Sequence, residues 1–298
     1  MTQTFHSGFV AIIGRPNVGK STLINQLMGE KLSIISNKPQ TTRNKIQFIY
    51  SDDRMQVIFL DTPGVQKPRN ELGEAMLTMS KKSLEDVDLC LFVTDTSGKP
   101  GPFELTIIDF FKDFKDLPVL LLINKIDEVD QNRKKELLTY HSSLGNYAKV
   151  LAISAKTGEN IDELKEAIYQ YLPKGPCYYP TDMITDRSER FIISEIIREK
   201  CLQDMNEEIP HGIFVEILTM SYRKDQPICD IQANIIVEKD SHKGMVIGKG
   251  GKKLRSIGTK ARKDIEKFID SKVNLKLWVK VEKDWRKKQN KLREFGYE

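Results

Sequence analysis

Eight residues near the start of the chain, Gly14-Arg15-Pro16-Asn17-Val18-Gly19-Lys20-Ser21, carry the spacing GxxxxGKS. Glycines at such positions let a backbone wrap its N–H groups around a polyphosphate, and a helix opening at Lys20 adds the positive end of its dipole. Lys20 supplies a mobile cation for the terminal phosphates, while the hydroxyl of Ser21, with Thr22 beside it, suits a magnesium ion. The motif is specific only where a strand enters it and a helix leaves it. Phe9–Ile13 and Lys20–Met28 read as that strand and helix, so the expected ligand is a nucleoside polyphosphate.

Three further segments narrow the base and the reaction. Asp61-Thr62-Pro63-Gly64 follows the apolar run Met55–Leu60 and places a carboxylate where it holds magnesium through water, with the Gly64 N–H positioned to sense a third phosphate. Asn124-Lys125-Ile126-Asp127 ends the run Val119–Ile123, and Ser154-Ala155-Lys156 ends Val150–Ile153. Guanine offers two adjacent donors, N1–H and its exocyclic amine, which one carboxylate at Asp127 accepts together. Adenine has an acceptor at N1 and would leave that carboxylate unpaired, a difference worth a discrimination of about 10⁴. The Lys125 stem suits the plane of the base, and the Ala155 N–H the guanine carbonyl.

These residues need a sheet whose strand ends meet along one edge. Over 9–171, strand-like Phe9–Ile13, Ile46–Tyr50, Met55–Leu60, Asp88–Thr94, Val119–Asn124 and Val150–Ser154 alternate mostly with helix-like Lys20–Met28, Asn70–Glu85, Phe103–Phe114, Gln131–Leu144 and Ile161–Leu172. That rhythm predicts an α/β domain over 1–172, a mainly parallel sheet with helices on both faces. Only a short turn separates Tyr50 from Met55, so one strand is antiparallel, at the sheet edge. Pro173, Gly175, Pro176 and Pro180 then break both periods and mark a linker, 173–182.

The second domain, 183–298, reads as a helix at Ser188–Met205, strands at Gly212–Tyr222 and Ile228–Val237, a turn at 248–251, a helix at Lys252–Asp270, a strand at Asn274–Val281 and a basic helix at Trp285–Phe295. Its turn, Gly248-Lys249-Gly250-Gly251, is a GxxG, which is weak alone because Gly98 to Gly101 is another. Context decides: the turn joins Met245–Ile247 to a helix carrying Lys252, Lys253, Arg255, Lys260, Arg262 and Lys263. A backbone that clamps phosphodiesters needs residues without bulky side chains. Ile231, Ile235, Val246 and Ile257 are candidate lining for a base-binding groove beside it, though their type suits a core as well.

Charge points the same way. The net charge of the whole chain is +5, but 241–298 holds 18 basic and 7 acidic residues, against 21 and 22 over 1–172 and 8 and 13 over 173–240. Such a tail neutralises phosphates of a nucleic acid or of an anionic lipid surface, whereas a run such as Arg286 to Lys288 taken alone reads as a solvated face. The four cysteines, Cys90, Cys177, Cys201 and Cys229, show no metal-ligand spacing. No apolar run reaches a bilayer's width and the start lacks a signal-peptide pattern, so the expected location is cytoplasmic.

The ordered set GRPNVGKS, Thr41-Thr42, DTPG, NKID and SAK resembles the translation-factor-like GTPases and is similar to the Era family over nearly the whole chain. The resemblance implies a P-loop GTPase domain followed by an α+β type II KH domain. It implies that Lys31–Asn44 is a switch in which Thr41 or, by preference, Thr42 joins Ser21 and Asp61 around Mg²⁺. Val65 stands where many small GTPases have a water-orienting Gln. The resemblance therefore implies slow hydrolysis of GTP to GDP by positioning and electrostatics, through Lys20, Thr42, Asp61 and Gly64, with Asn17 associated with a K⁺ ion.

For the second domain it implies that Gly248, Lys249, Gly250 and Gly251 clamp single-stranded RNA and that Lys252, Lys253 and Arg255 contact phosphate. The implied RNA is the 3′ end of 16S rRNA, and the implied work is assembly of the 30S ribosomal subunit and rRNA maturation, by a monomer whose GTP state gates RNA binding. Two rivals are an RNA chaperone in which hydrolysis is incidental and a signalling GTPase using its basic tail on an anionic membrane. The tail leaves room for weak peripheral membrane association. The absence of a lipidation motif and the GKGG turn speak against the membrane as the main site of action.

Overall fold

The computed structural model of the chain describes residues 4–29, 33, 46–61, 78, 81–205 and 212–295. It divides into two compact units at Asp186 and Arg187, where the sequence places the change at 182/183.

The first unit holds a six-stranded sheet of β1 (His6–Ile13), β2 (Ile46–Ser51), β3 (Met55–Asp61), β4 (Leu89–Asp95), β5 (Val119–Asn124) and β6 (Lys149–Ala152), in the order β2-β3-β1-β4-β5-β6. Every neighbouring pair is parallel except β2–β3, the antiparallel pair at the edge. All residues of β3, β4 and β5 are buried, as continuous apolar strands covered on both faces must be. Asp52 closes the hairpin between β2 and β3, its Oδ1 accepting from the N–H groups of Arg54 and Met55 at 2.8 Å each.

Four helices of this unit are described in full: α1 (Lys20–Met28), α2 (Pro102–Phe110), α3 (Gln131–Ser142) and α4 (Ile161–Tyr171). The helix expected over Asn70–Glu85 is helical at 78 and 81–82 and has turned by 83–86; its other residues lie outside the described ones. After α4 the chain stays on the sheet. Gln56, fully buried in β3, accepts at Oε1 from the N–H groups of Tyr178 and Tyr179 (2.7 and 2.9 Å), and its Nε2 donates to Tyr179 O at 2.8 Å. Ile49 N–H donates to Ile184 O at 3.0 Å.

The second unit runs α5 (Glu189–Asp204), β7 (Phe214–Tyr222), β8 (Ile228–Val237), α6 (Asp240–Ile247), α7 (Lys252–Phe268) and β9 (Lys272–Val281). Ser188 caps α5 by accepting from Phe191 N–H. The sheet order is β7-β8-β9, with β7–β8 antiparallel and β8–β9 parallel. α5 and α7 pack on one another and on the sheet, around a core that includes Ile193, Ile197, Ile231, Ile235, Val246, Ile257 and Ile265, all at 0% exposure. The four residues considered as groove lining, Ile231, Ile235, Val246 and Ile257, are therefore core.

The single basic helix expected at Trp285–Phe295 is a 3₁₀ turn, Trp285–Lys287, followed by α8 (Gln289–Glu294). Extended Lys288 separates them. The segment is anchored by Trp285, whose ring N–H donates to Gly212 O at 3.0 Å, and by Phe295 stacked on Phe214 at 4.1 Å. Its cations are largely consumed within the unit: Arg286 pairs with Glu238, Lys287 with Asp284, and Lys291 with Glu294. Among the described residues no helix is long and apolar enough to cross a membrane, and no cluster of His, Cys, Asp and Glu could hold a metal ion.

Candidate nucleotide site and nucleic-acid interface

In the first unit the strand ends deliver the site. β1 stops at Ile13, and the chain passes through Gly14 to Gly19 into α1 without a side-chain cap at the helix start, so the first-turn N–H groups face outward for an anion. Asn17 and Gly19 take the left-handed conformation at φ 66° and 99°. At Gly19 a Cβ would sit 2.3 Å from Asn124 Nδ2, so close packing as well as conformation requires glycine. Lys20 is buried, and its Nζ donates to the carbonyls of Gly14 (2.9 Å) and Arg15 (3.0 Å). Burial lowers its pKa to about 8, against the opposing pull of Asp61.

Asp61 ends β3, fully buried, with Oδ2 accepting from Ser33 Oγ at 3.0 Å. Ser21 and Thr22 occupy the first turn of α1 beside Lys20. Thr41, Thr42, Thr62, Pro63, Gly64 and Val65 lie outside the described residues.

Asn124 joins the base-side loop to the phosphate loop: its Nδ2 donates to Val18 O at 2.8 Å, and its Oδ1 accepts from Ala155 N–H at 2.9 Å. The N–H expected to meet the guanine carbonyl thus has a protein partner here. Ser154 Oγ donates to Asp127 Oδ1 at 2.6 Å and accepts from Thr157 N–H at 3.1 Å, which fixes the carboxylate while Oδ2 faces Lys156 at 3.9 Å. Lys125, at φ 68°, sends its Nζ to Asp95 Oδ2 at 2.9 Å.

Asp95 escaped the sequence reading. It ends β4 directly opposite Asn124 in β5, and it also accepts from Arg15 at 2.5 Å and from Ser97 N–H at 3.1 Å. Burial alone would push its pKa up, but the hydrogen bonds from Lys125 and Ser97 and the charge of Arg15 hold it below the usual carboxylate range. Glu104 completes the cluster, accepting from Arg15 (3.1 Å), Thr94 (2.7 Å) and Gly101 N–H (2.7 Å). The Arg15 side chain, expected with the phosphates, is therefore tied to two carboxylates, and the phosphate loop and base loop share one ionic strut. A carboxylate at the same sheet edge as Asp61 and Asn124 was the available signal.

In the second unit, the turn between α6 and α7 is built on positive φ at Gly248 (69°), Gly250 (59°) and Gly251 (73°). A Cβ at Gly248 would meet Lys253 Cβ at 2.8 Å, whereas nothing lies within 4 Å of one at Gly250 or Gly251, so the backbone there is open. Lys249, Lys252 and Arg255 are exposed and Lys253 half-buried. Beside the turn lies a groove of about 350 Å³ lined by Leu254, Arg255, Gly258, Arg262, Leu275 and Leu277 among others. These walls come from the partly buried flank of α7 and from β9, and none of the four candidate lining residues is among them.

A P-loop α/β unit with a fixed carboxylate at its base-side edge, followed by an α+β unit with an open GxxG turn, defines a GTPase joined to a KH domain. Family descriptions agree: "50S ribosome-binding GTPase" matches residues 9–125 and "KH domain" matches 208–286. The chain belongs to the Era family of GTPases, which are GTP hydrolases. It is 52% identical to GTPase Era of Alkaliphilus metalliredigens over 99% of this chain and 100% of that one. It is also 52% identical to GTPase Era of Clostridium novyi, covering 98% and 99%. Two solved structures superpose with a TM-score of 0.91 at 39% identity, over 98% of this chain and 99% of theirs. One is Era with MgGDPNP and nucleotides 1506–1542 of 16S ribosomal RNA, the other a variant of Aquifex aeolicus Era bound to GDP·AlF₄⁻.

Proposed function

We propose that this chain is a nucleotide-gated RNA-binding GTPase of the cytoplasm that binds the single-stranded 3′ end of 16S rRNA and assists assembly of the 30S subunit. The observation that carries the nucleotide half is Asp127, locked by Ser154 with acceptor capacity left for the paired donors of guanine. Gly14 to Thr22 cradle the phosphates, Lys125, Ser154, Ala155 and Lys156 complete the base pocket, and Asn124 couples the two. The hydroxyl of Ser21 and the carboxylate of Asp61 are hard oxygen donors that fit Mg²⁺, with Thr42 as the third. When bound, that ion neutralises charge on the phosphates. Lys20 holds the terminal phosphate, Asp61 and Gly64 read its presence, and Val65 leaves hydrolysis to positioning and electrostatics.

Asn17 sits in the left-handed region, which Asn tolerates better than most residues and which accounts for it as a turn former. Its association with K⁺ predicts faster turnover in potassium than in sodium, and equal rates would remove that role.

On the RNA side, Gly248, Lys249, Gly250 and Gly251 clamp the backbone while Lys252, Lys253 and Arg255 contact phosphate. The related structure that holds both MgGDPNP and 16S rRNA nucleotides supports this reading. GTP ordering of Lys31–Asn44 and of the loop after Asp61 changes RNA affinity. Crosslinking to RNA with GTP, with GDP and without nucleotide tests this gating. Yields that ignore the nucleotide, together with function retained after Lys20→Ala, would favour the chaperone alternative.

A further inference from the structure

The open face of the second unit's sheet carries a pattern that the GxxG turn does not use. Side chains alternate along β9, so Val273 and Val279 are buried below while Lys272, Asn274, Lys276, Trp278 and Lys280 share the other face. Trp278 is 45% exposed, although an indole of this size normally buries most of its surface. Its register partner is Asn234 in β8, and Lys276 is opposite Gln232.

None of the three lysines, Lys272, Lys276 and Lys280, makes a salt bridge within 4 Å among the described residues, although the charge of Lys276 is felt by the Asp230 carboxylate. Elsewhere in the unit, cations such as Lys200, Lys260 and Arg286 are paired at 2.5–2.6 Å. The acids of this face are already engaged: Asp230 is held by Arg223 and Asn274, both at 2.7 Å, and Glu216 accepts from Asn234 at 3.2 Å.

The groove beside the GxxG turn opens on the helix side of β9, where Leu275 and Leu277 line it, and it meets the open face at the strand edge, at Asn274. Asn274 lines that groove and also stands on the open face, where its Nδ2 reaches Asp230. β9 is an edge strand of the sheet, so among the described residues its outer backbone groups meet no neighbouring strand. From Asn274 to Trp278 is four residues of strand, about 13 Å at 3.3 Å each.

We propose that this face is a second platform for single-stranded nucleic acid, on which a strand leaving the groove stacks a base on Trp278 and sets phosphates against Lys276 and Lys280. The proposal rests on the reading of the groove as an RNA site and extends it in length. Its chemistry is that of sequence-tolerant strand binding: an aromatic ring for any base, unpaired cations for the backbone, and side-chain amides of Gln232 and Asn234 for base edges.

The test uses the full chain and two unstructured single-stranded RNAs, one of about four nucleotides, which the GxxG clamp alone accommodates, and one of about ten. Trp278→Ala should weaken the longer RNA about tenfold or more and leave the shorter unchanged. Trp278→Phe should restore most of the loss. Lys276→Glu with Lys280→Glu should lower the slope of log affinity against log salt by about 0.7 for each lost contact, again only for the longer strand.

In the unaltered protein the longer RNA should quench the emission of Trp278, the shorter should not, and fully buried Trp285 remains a constant background. Equal loss for both lengths, with no rescue by Phe, would assign Trp278 to the fold, and no loss for either would assign the face to another partner; both overturn the platform. If the shorter RNA binds the Lys249→Asp, Gly250→Asp variant as well as it binds the unaltered protein, the groove reading itself fails, and the platform with it.

Discussion

The two units handle anions in opposite ways. At the nucleotide edge of the first, Lys20, Asn124 and Asp95 are buried and the polar groups are already joined: Lys20 to two carbonyls, Asn124 to Val18 and Ala155, Asp127 to Ser154, Lys125 and Arg15 to Asp95. At the GxxG turn Gly250 and Gly251 are open, and Lys249, Lys252 and Arg255 stand in solvent. A small ligand with a fixed pattern of donors is selected by groups that cannot move and cannot be satisfied by the wrong partner. A long flexible polyanion is bound by summing many weak contacts whose strength comes from counterion release. Preorganisation therefore belongs to the first unit and availability to the second.

The sharpest way to break this contrast is at Asp127. Asp127→Asn replaces two acceptors by one acceptor and one donor pair, which no longer matches guanine and does match the carbonyl of xanthine. Guanine nucleotide affinity should fall by about 10⁴ relative to xanthosine triphosphate, read by competition binding. Because Ser154 Oγ can still donate to the Asn oxygen, thermal stability should hardly move. A variant that loses guanine without gaining xanthine would mean that the site is not organised around this pairing.

The second unit should respond to charge and not to fine geometry. Lys249→Asp with Gly250→Asp should weaken RNA binding about a hundredfold at physiological salt, with nucleotide binding intact. Space exists for the change, since no atom lies within 4 Å of a Cβ at Gly250, and Asp tolerates its positive φ better than most residues. Loss of nucleotide binding in the same variant would show instead that the chain had misfolded.

A smaller effect is expected at the ionic strut. Asp95→Asn leaves Arg15 and Lys125 without their shared counter-charge, in a site where Asp95 itself is only 4% exposed. The stability cost should be about 3 kcal/mol, measured by denaturant unfolding. GDP affinity should fall roughly tenfold as Lys125 loses its tether, whereas selectivity between guanine and xanthine should stay as it was. A change of selectivity would place Asp95 in base recognition and not in positioning.

Much of this was legible before the fold was known, and the exceptions have physical causes. The phosphate loop, the carboxylates at 61 and 127 and the GxxG turn announce themselves because each needs particular residue types at fixed spacing. The parallel sheet and its antiparallel edge follow from apolar runs and one short turn. Asp95 and Glu104 were missed because their roles come from register: Asp95 matters only because β4 lies beside β5, which no local pattern states.

Gln56 is a similar case. A lone glutamine in an apolar strand looks incidental until the segment after α4 is seen to satisfy its amide. Residue type alone could not separate groove walls from core, since both are apolar; only the packing of α7 on β9 does so. Fully buried Ile231 and Ile257 make the core, and the half-exposed Leu254, Leu275 and Leu277 face the groove. The charge count of the last segment overstated what is available, since cations such as Arg286 are paired within the unit.

Lys20 offers the smallest and most diagnostic test of preorganisation. Without nucleotide its pKa is lowered to about 8 by burial, against 10.5 in an open chain. Between those values the folded protein holds fewer protons than the unfolded one, so stability rises with pH, by about 1.4 kcal/mol per unit and about 3 kcal/mol in all. That sign is opposite to the usual case of a lysine that gains a partner on folding. Nucleotide phosphates favour the charged ammonium and raise the pKa again, so binding near pH 8.5 should take up more than half a proton. Calorimetry in two buffers of different ionisation enthalpy would read that uptake directly. Affinity should be about tenfold weaker at pH 9 than at pH 7, for want of charge on Lys20. The exposed lysines of the GxxG turn should show no comparable dependence over the same range. If RNA and nucleotide affinities instead declined together with pH, the difference in burial between the two units would not be what separates their chemistry.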